Sequence, residues 1–150
     1  MKVYSSKIND NIPFPQANDI YKLIYFLNKH TTNNFSDMLS HEKFKIVPRQ
    51  IDYYKTAAKY LDLYDKDVTS FAMHIFSMSY ENMMKHMVYI ILSKDIFYDY
   101  YKNRNRNNVV SYLKDKYNYS DKTANRRFST LLTWIKWCDV VIEDYNLNIE

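Results

Sequence analysis

Ser120-Asp121-Lys122-Thr123-Ala124-Asn125-Arg126-Arg127-Phe128-Ser129-Thr130-Leu131-Leu132-Thr133-Trp134-Ile135-Lys136-Trp137 decides how this chain folds. Ser120 or Asp121 is placed to cap a helix, because a short side-chain oxygen there accepts from the first free backbone N–H groups. Ala124, Phe128, Leu131, Ile135 and Cys138 follow at i, i+4, i+7, i+11 and i+14, one apolar stripe of a helix running to Asp139. Lys122, Arg126, Ser129 and Thr133 lie opposite, flanked by Asn125, Arg127 and Thr130, and no acid interrupts the run from Lys122 to Lys136. Arginine grips guanine or phosphate as a fork, and Asn, Ser and Thr reach base edges or phosphates. The same pattern also describes a solvated face in an ordinary helical bundle. Trp134 and Trp137 read as core or core edge, not as base-stacking platforms.

From Lys102 to Arg127 the chain is basic. Lys102, Arg104, Arg106, Lys114, Lys116, Lys122, Arg126 and Arg127 face only Asp115 and Asp121, whereas the segment from Asp139 onward holds four acids and no base. The overall charge of +4 is therefore a local feature, and it coincides with a helix–turn–helix order. Val109–Tyr117 reads as a helix, Tyr117-Asn118-Tyr119-Ser120 as a turn, and Val140–Ile142 as a short strand because it is a β-branched run. The link 102–108 has no apolar residue and reads as a hinge.

Working toward the N-terminus, a similar order recurs. Pro13 and Pro15 make residues 1–15 an extended arm. Asn18 reads as the cap of a helix to about Lys29, with Ile20, Leu23, Ile24 and Leu27 inward, and Ser36 as the cap of a short helix through Leu39. Pro48 suits the first position of a helix through Leu61, with Ile51, Tyr54, Ala58 and Leu61 on one side. Val68–Ile75 reads as a strand or irregular edge. Helices over about Ser79–Leu92 and Lys94–Tyr101 connect the halves. Helix, short helix, turn, longer helix and strand-like edge thus appear in 18–75 and again in 95–145. The expected fold is mainly α, with two winged helix-turn-helix units carrying short β wings: an arm over 1–15, a first unit over 16–78, and connecting helices with a second unit over 79–150.

Composition narrows the chemistry. With 150 residues the chain suits one domain or two very small ones. It contains no glycine, which excludes the P-loop, the dinucleotide fingerprint and the nucleophile elbow, and requires Asn or Asp wherever a turn needs positive φ. One cysteine excludes a disulfide framework and a multi-cysteine zinc site. The longest apolar run, Met87–Leu92, is far below the ~20 residues of a membrane helix, and the polar start shows no secretory signal; both point to a soluble, intracellular protein, cytoplasmic or, if of phage or viral origin, in the host-cell interior. Glu42 and Lys43 are adjacent and so fail the alternation a nuclease strand needs. His30, His41, His74 and His86 are scattered, and Cys138 sits on a buried stripe. No cofactor, metal or catalytic residue is expected.

Two stretches are similar to known helices. Val47–Leu63 resembles an RQ-x-x-YY-x-x-A-x-YLGL helix, with Asp62 in place of the glycine, and Thr123–Trp137 resembles a T-x-x-RR-x-ST-x-x-x-W-x-x-W helix. Together they resemble the tandem winged-helix domain of DNA-recognition regions in some type II restriction enzymes and related phage or bacterial proteins, over roughly 13–142. The resemblance implies sequence-specific binding of double-stranded DNA, as the recognition module of a restriction-type system, beside a nuclease domain or subunit, or as a small transcription regulator. It places one reader on Lys122, Asn125, Arg126, Arg127, Ser129, Thr130 and Thr133, and another on Arg49, Gln50 and Tyr53. Arg104 and Arg106, in the basic link, join them as candidate DNA contacts. The alternative is a protein-interaction adaptor, of viral type, on the same scaffold.

Overall fold

A computed structural model describes residues 12–31, 35 and 44–149. Among them are seven α-helices: α1 (Ile20–His30), α2 (Ile51–Tyr60), α3 (Ser70–Phe76), α4 (Tyr80–Leu92), α5 (Asp95–Asn103), α6 (Arg106–Tyr117) and α7 (Asp121–Asp144). A 3-10 turn over Pro48–Gln50 leads into α2. The described residues contain no strand; an isolated antiparallel bridge between Tyr64 and Val68 is their sole β pairing. The expected β wings are therefore absent from this part of the chain, and both strand assignments are corrected.

Each correction has a local cause. Thr69 caps α3 by accepting from the Ala72 N–H, and Ala72, Ile75 and Phe76 bury one helical face. Val140–Ile142 is absorbed into α7, whose inner stripe continues from Cys138 to Val141. Burying Val141 outweighs the modest helix penalty of a β-branched residue. The basic link is also shorter than expected: helix occupies it on both sides of Arg104 and Asn105.

Capping sets the starts of most helices. Asp19, Thr69, Ser79, Asn105 and Ser120 each accept from a backbone N–H of the first turn, an interaction of about 1 kcal/mol apiece. Asp19, not Asn18, caps α1. The expected helix from Ser36 to Leu39 lies outside the described residues, as does most of the expected arm.

Chain reversals without glycine fall at Asp62, Arg104, Asn118 and Asn146, all with positive φ. Three are the Asp or Asn expected there, and Arg104 is an exception explained below. After α2, Leu63 N–H donates to Ala58 O at 2.9 Å and Asp62 N–H to Lys59 O at 3.0 Å, the paired closure of a left-handed C-cap. Leu147 and Asn146 close α7 in the same way. Asn118 holds the left-handed position between α6 and α7. Asn118→Ile is expected to lower stability by about 1–2 kcal/mol, because its Cβ branch clashes at positive φ, whereas Asn118→Gly is tolerated. Urea midpoints at constant m check this; equal midpoints for the two variants would contradict it.

The buried side chains form one continuous core from Phe14 to Val141, and the expected division at 78/79 runs through it. α1 packs on α2 and α3, α4 links α3 to α5 and α7, and α7 lies against α4, α5 and α6. A strap over residues 12–19 fastens to the back of α7. Phe14 is fully buried and stacks on Phe97 at 5.6 Å. Its N–H donates to Tyr119 Oη at 3.3 Å. The Ala17 carbonyl accepts from Trp134 Nε1 at 2.8 Å, and Asn18 Oδ1 accepts from Thr130 Oγ1 at 2.7 Å. These contacts fix which face of α7 remains outward.

Candidate nucleic-acid interface

The outward face of α7 is a line of five exposed side chains: Lys122, Arg126, Ser129, Thr133 and Lys136. Their steps of four, three, four and three residues keep them on one side of the helix, over about 21 Å at 1.5 Å per residue. Lys122, Arg126 and Lys136 make no hydrogen bond or ion pair among the described residues. Ser129 Oγ donates to the Asn125 carbonyl at 3.2 Å and Thr133 Oγ1 to the Ser129 carbonyl at 2.9 Å. Both hydroxyl donors are thus spent on the helix, and their oxygens face outward as acceptors.

The remaining sequence-predicted residues of α7 are turned inward or engaged. Thr130 is 3 % exposed and bonded to the strap. Arg127 lays its guanidinium 5.6 Å from the Tyr119 ring centre, with a buried Nε that has no partner. Asn125 is occupied at both ends of its amide: Nδ2 donates to the Asp121 carbonyl, and Oδ1 accepts from Arg106. Arg106 in turn sits 4.7 Å from the Phe128 ring centre. The adjacent arginines 126 and 127, equivalent by type, therefore have different surroundings: one free and outward, the other laid on an aromatic ring.

Arg104 belongs to the fold. Its guanidinium donates as a fork to both oxygens of Asp139, at 3.0 and 2.8 Å, and its Nε donates to the Tyr101 carbonyl. It also lies over the Tyr100 and Tyr101 rings. These contacts hold a non-glycine residue at positive φ and clip the end of α5 to α7. The Asp139 hydrogen bond is the main cause of the guanidinium's raised pKa.

Asp121, the one acid in the first turn of α7, is paired with Lys114 at 2.6 Å. That pairing offsets its charge beside the basic line. Arg49 and Tyr53 are exposed and Gln50 is half-buried, on the 3-10 turn and first turn of α2. The exposed Asp52 stands among them, and this second set lies on a different element from the α7 line. Lys136, absent from the sequence-predicted reader, completes that line; its i+14 spacing from Lys122 was the available signal. The contacts of the strap had no comparable signal, because they join residues more than 100 positions apart.

The other candidate chemistries are quiet. Cys138 is fully buried, and burial pushes its thiol well above the usual range, which disfavours the nucleophilic thiolate. Trp134 is fully buried and Trp137 nearly so, both in the core. His41, Glu42 and Lys43 lie outside the described residues. Among those described, no helix is long and apolar enough to cross a membrane.

Residues 20–143 match the family model described as a domain of unknown function, DUF7226, and the chain belongs to that family. Nothing matches among the curated proteins or the solved structures.

Proposed function

We propose that this protein binds double-stranded DNA along the outer face of α7. The observation that carries the reading is the acid-free line from Lys122 to Lys136, exposed and unpartnered at its three cations on a helix anchored from behind by the core. A major groove about 12 Å wide admits one helix presented in this way. The N-terminal end of α7 adds partial positive charge near Lys122, which favours phosphate. With no strand in the described part of the chain, the contacts come from helices and not from wings. In this reading the protein binds and does not cut; any cleavage belongs to a partner subunit or domain.

Fluorescence anisotropy with a labelled random duplex tests the reading. Wild-type protein is expected to bind with a dissociation constant of about 10⁻⁶–10⁻⁴ M near physiological salt, the range of sequence-independent association. Lys122→Ala with Arg126→Ala is expected to weaken binding at least tenfold. Arg104→Ala, which breaks the Asp139 clip, is expected to leave affinity within about twofold and to lower stability by up to about 1 kcal/mol, as for an exposed pair. A wild-type protein with no salt-sensitive binding would instead favour the adaptor reading. Equal affinity of the double variant would remove α7 as the contact face.

A further inference from the structure

Resting on the duplex reading above, we propose that Arg126 is the residue by which this face tells one DNA sequence from another, and that the base it takes is guanine. Reading a base edge with discrimination needs two donors or acceptors in fixed register. On α7 most groups that meet this need by type are unable to meet it by position. Thr130 is buried against the strap, and Arg127 rests on Tyr119. Asn125, the natural partner of adenine, has its amide closed at one end by Arg106 and at the other by the Asp121 carbonyl. Ser129 and Thr133 have committed their hydroxyl protons to backbone carbonyls. Lys122 and Lys136 are point charges without a fork.

On α7, Arg126 alone combines exposure, no partner among the described residues, and a planar pair of donors. Its place on the helix fits the same role. A straight helix meets a curved groove closely only near the middle of its contact line, and its ends rise toward the phosphate walls. Lys122 and Lys136 are those ends, about 21 Å apart, while Arg126 lies one turn inside, in the N-terminal part from which reader helices contact base edges. The guanidinium fork matches N7 and O6 of guanine, worth about 5- to 150-fold in preference over another base.

Selection from a randomised duplex pool, followed by affinity measurement at fixed salt, tests this with three proteins. The wild type is expected to enrich at least one guanine column. Arg126→Lys keeps the charge and loses the fork, so it is expected to retain random-duplex binding within a few-fold while that column relaxes toward all four bases. Lys136→Ala is expected to keep the column and lose affinity evenly across sequences. Arg126 has no structural partner, so circular dichroism of the Arg126→Lys protein should match the wild type. Duplex retention with no guanine column, or a guanine column that survives Arg126→Lys, overturns the assignment and leaves the duplex reading standing. Failure of the wild type to retain any duplex at low salt overturns both.

Discussion

Trp134→Ala is expected to cost about 3–5 kcal/mol, the largest loss from any single truncation proposed for this chain. The indole is fully buried, stacks on Phe97 at 5.3 Å, and donates from Nε1 to the Ala17 carbonyl at 2.8 Å. Alanine removes the ring, opens a cavity between α5 and α7, and strands a carbonyl of the strap that had been satisfied. Domains of this size have total stabilities of about 5–15 kcal/mol, so the variant should unfold at a much lower urea concentration, and at physiological temperature part of the population should be unfolded. Urea titration followed by far-ultraviolet circular dichroism measures this. A loss below about 1 kcal/mol would mean that Trp134 is not the buried junction between strap and reader helix described above.

The second large effect is on binding. Combining Lys122→Ala, Arg126→Ala and Lys136→Ala is expected to reduce the slope of log affinity against log salt by about 2.7, if each cation neutralises one phosphate of B-form DNA at about 0.9 per contact. The three side chains are exposed and make no hydrogen bond or ion pair among the described residues, so the urea midpoint should move little. The pairing of a changed salt slope with unchanged stability separates a lost contact from a damaged helix. An unchanged slope would place the phosphate contacts on another face, with Arg49 on the 3-10 turn as the next candidate.

What could be read in the sequence was what is local and periodic. The Ser120 cap, the inner stripe of α7 and the outward set of Lys122, Arg126, Ser129 and Thr133 all follow from a helical period, and the structure places them so. The absence of glycine correctly pointed to Asn and Asp at the reversals, Asp62, Asn118 and Asn146 among them. The failures came from letting a β-branched run stand for a strand. Val141 is helical because its burial beside Cys138 completes a stripe, and Thr69 marks a helix start that a reading focused on Val68 passed over. Long-range partners were illegible altogether. No spacing rule shows that Thr130 would turn toward Asn18, that Arg104 would close on Asp139, or that of two neighbouring arginines only Arg126 would stay free.

The central claim, that duplex DNA lies along the outer face of α7, is tested most directly by amide chemical-shift mapping of the protein during titration with a short duplex at low salt. The expected result is a continuous line of perturbed amides at Lys122, Arg126, Ser129, Thr133 and Lys136, with the buried side of the helix at Phe128, Leu131 and Ile135 far less affected. Perturbations confined to another element, or none at all at saturating duplex, would contradict it.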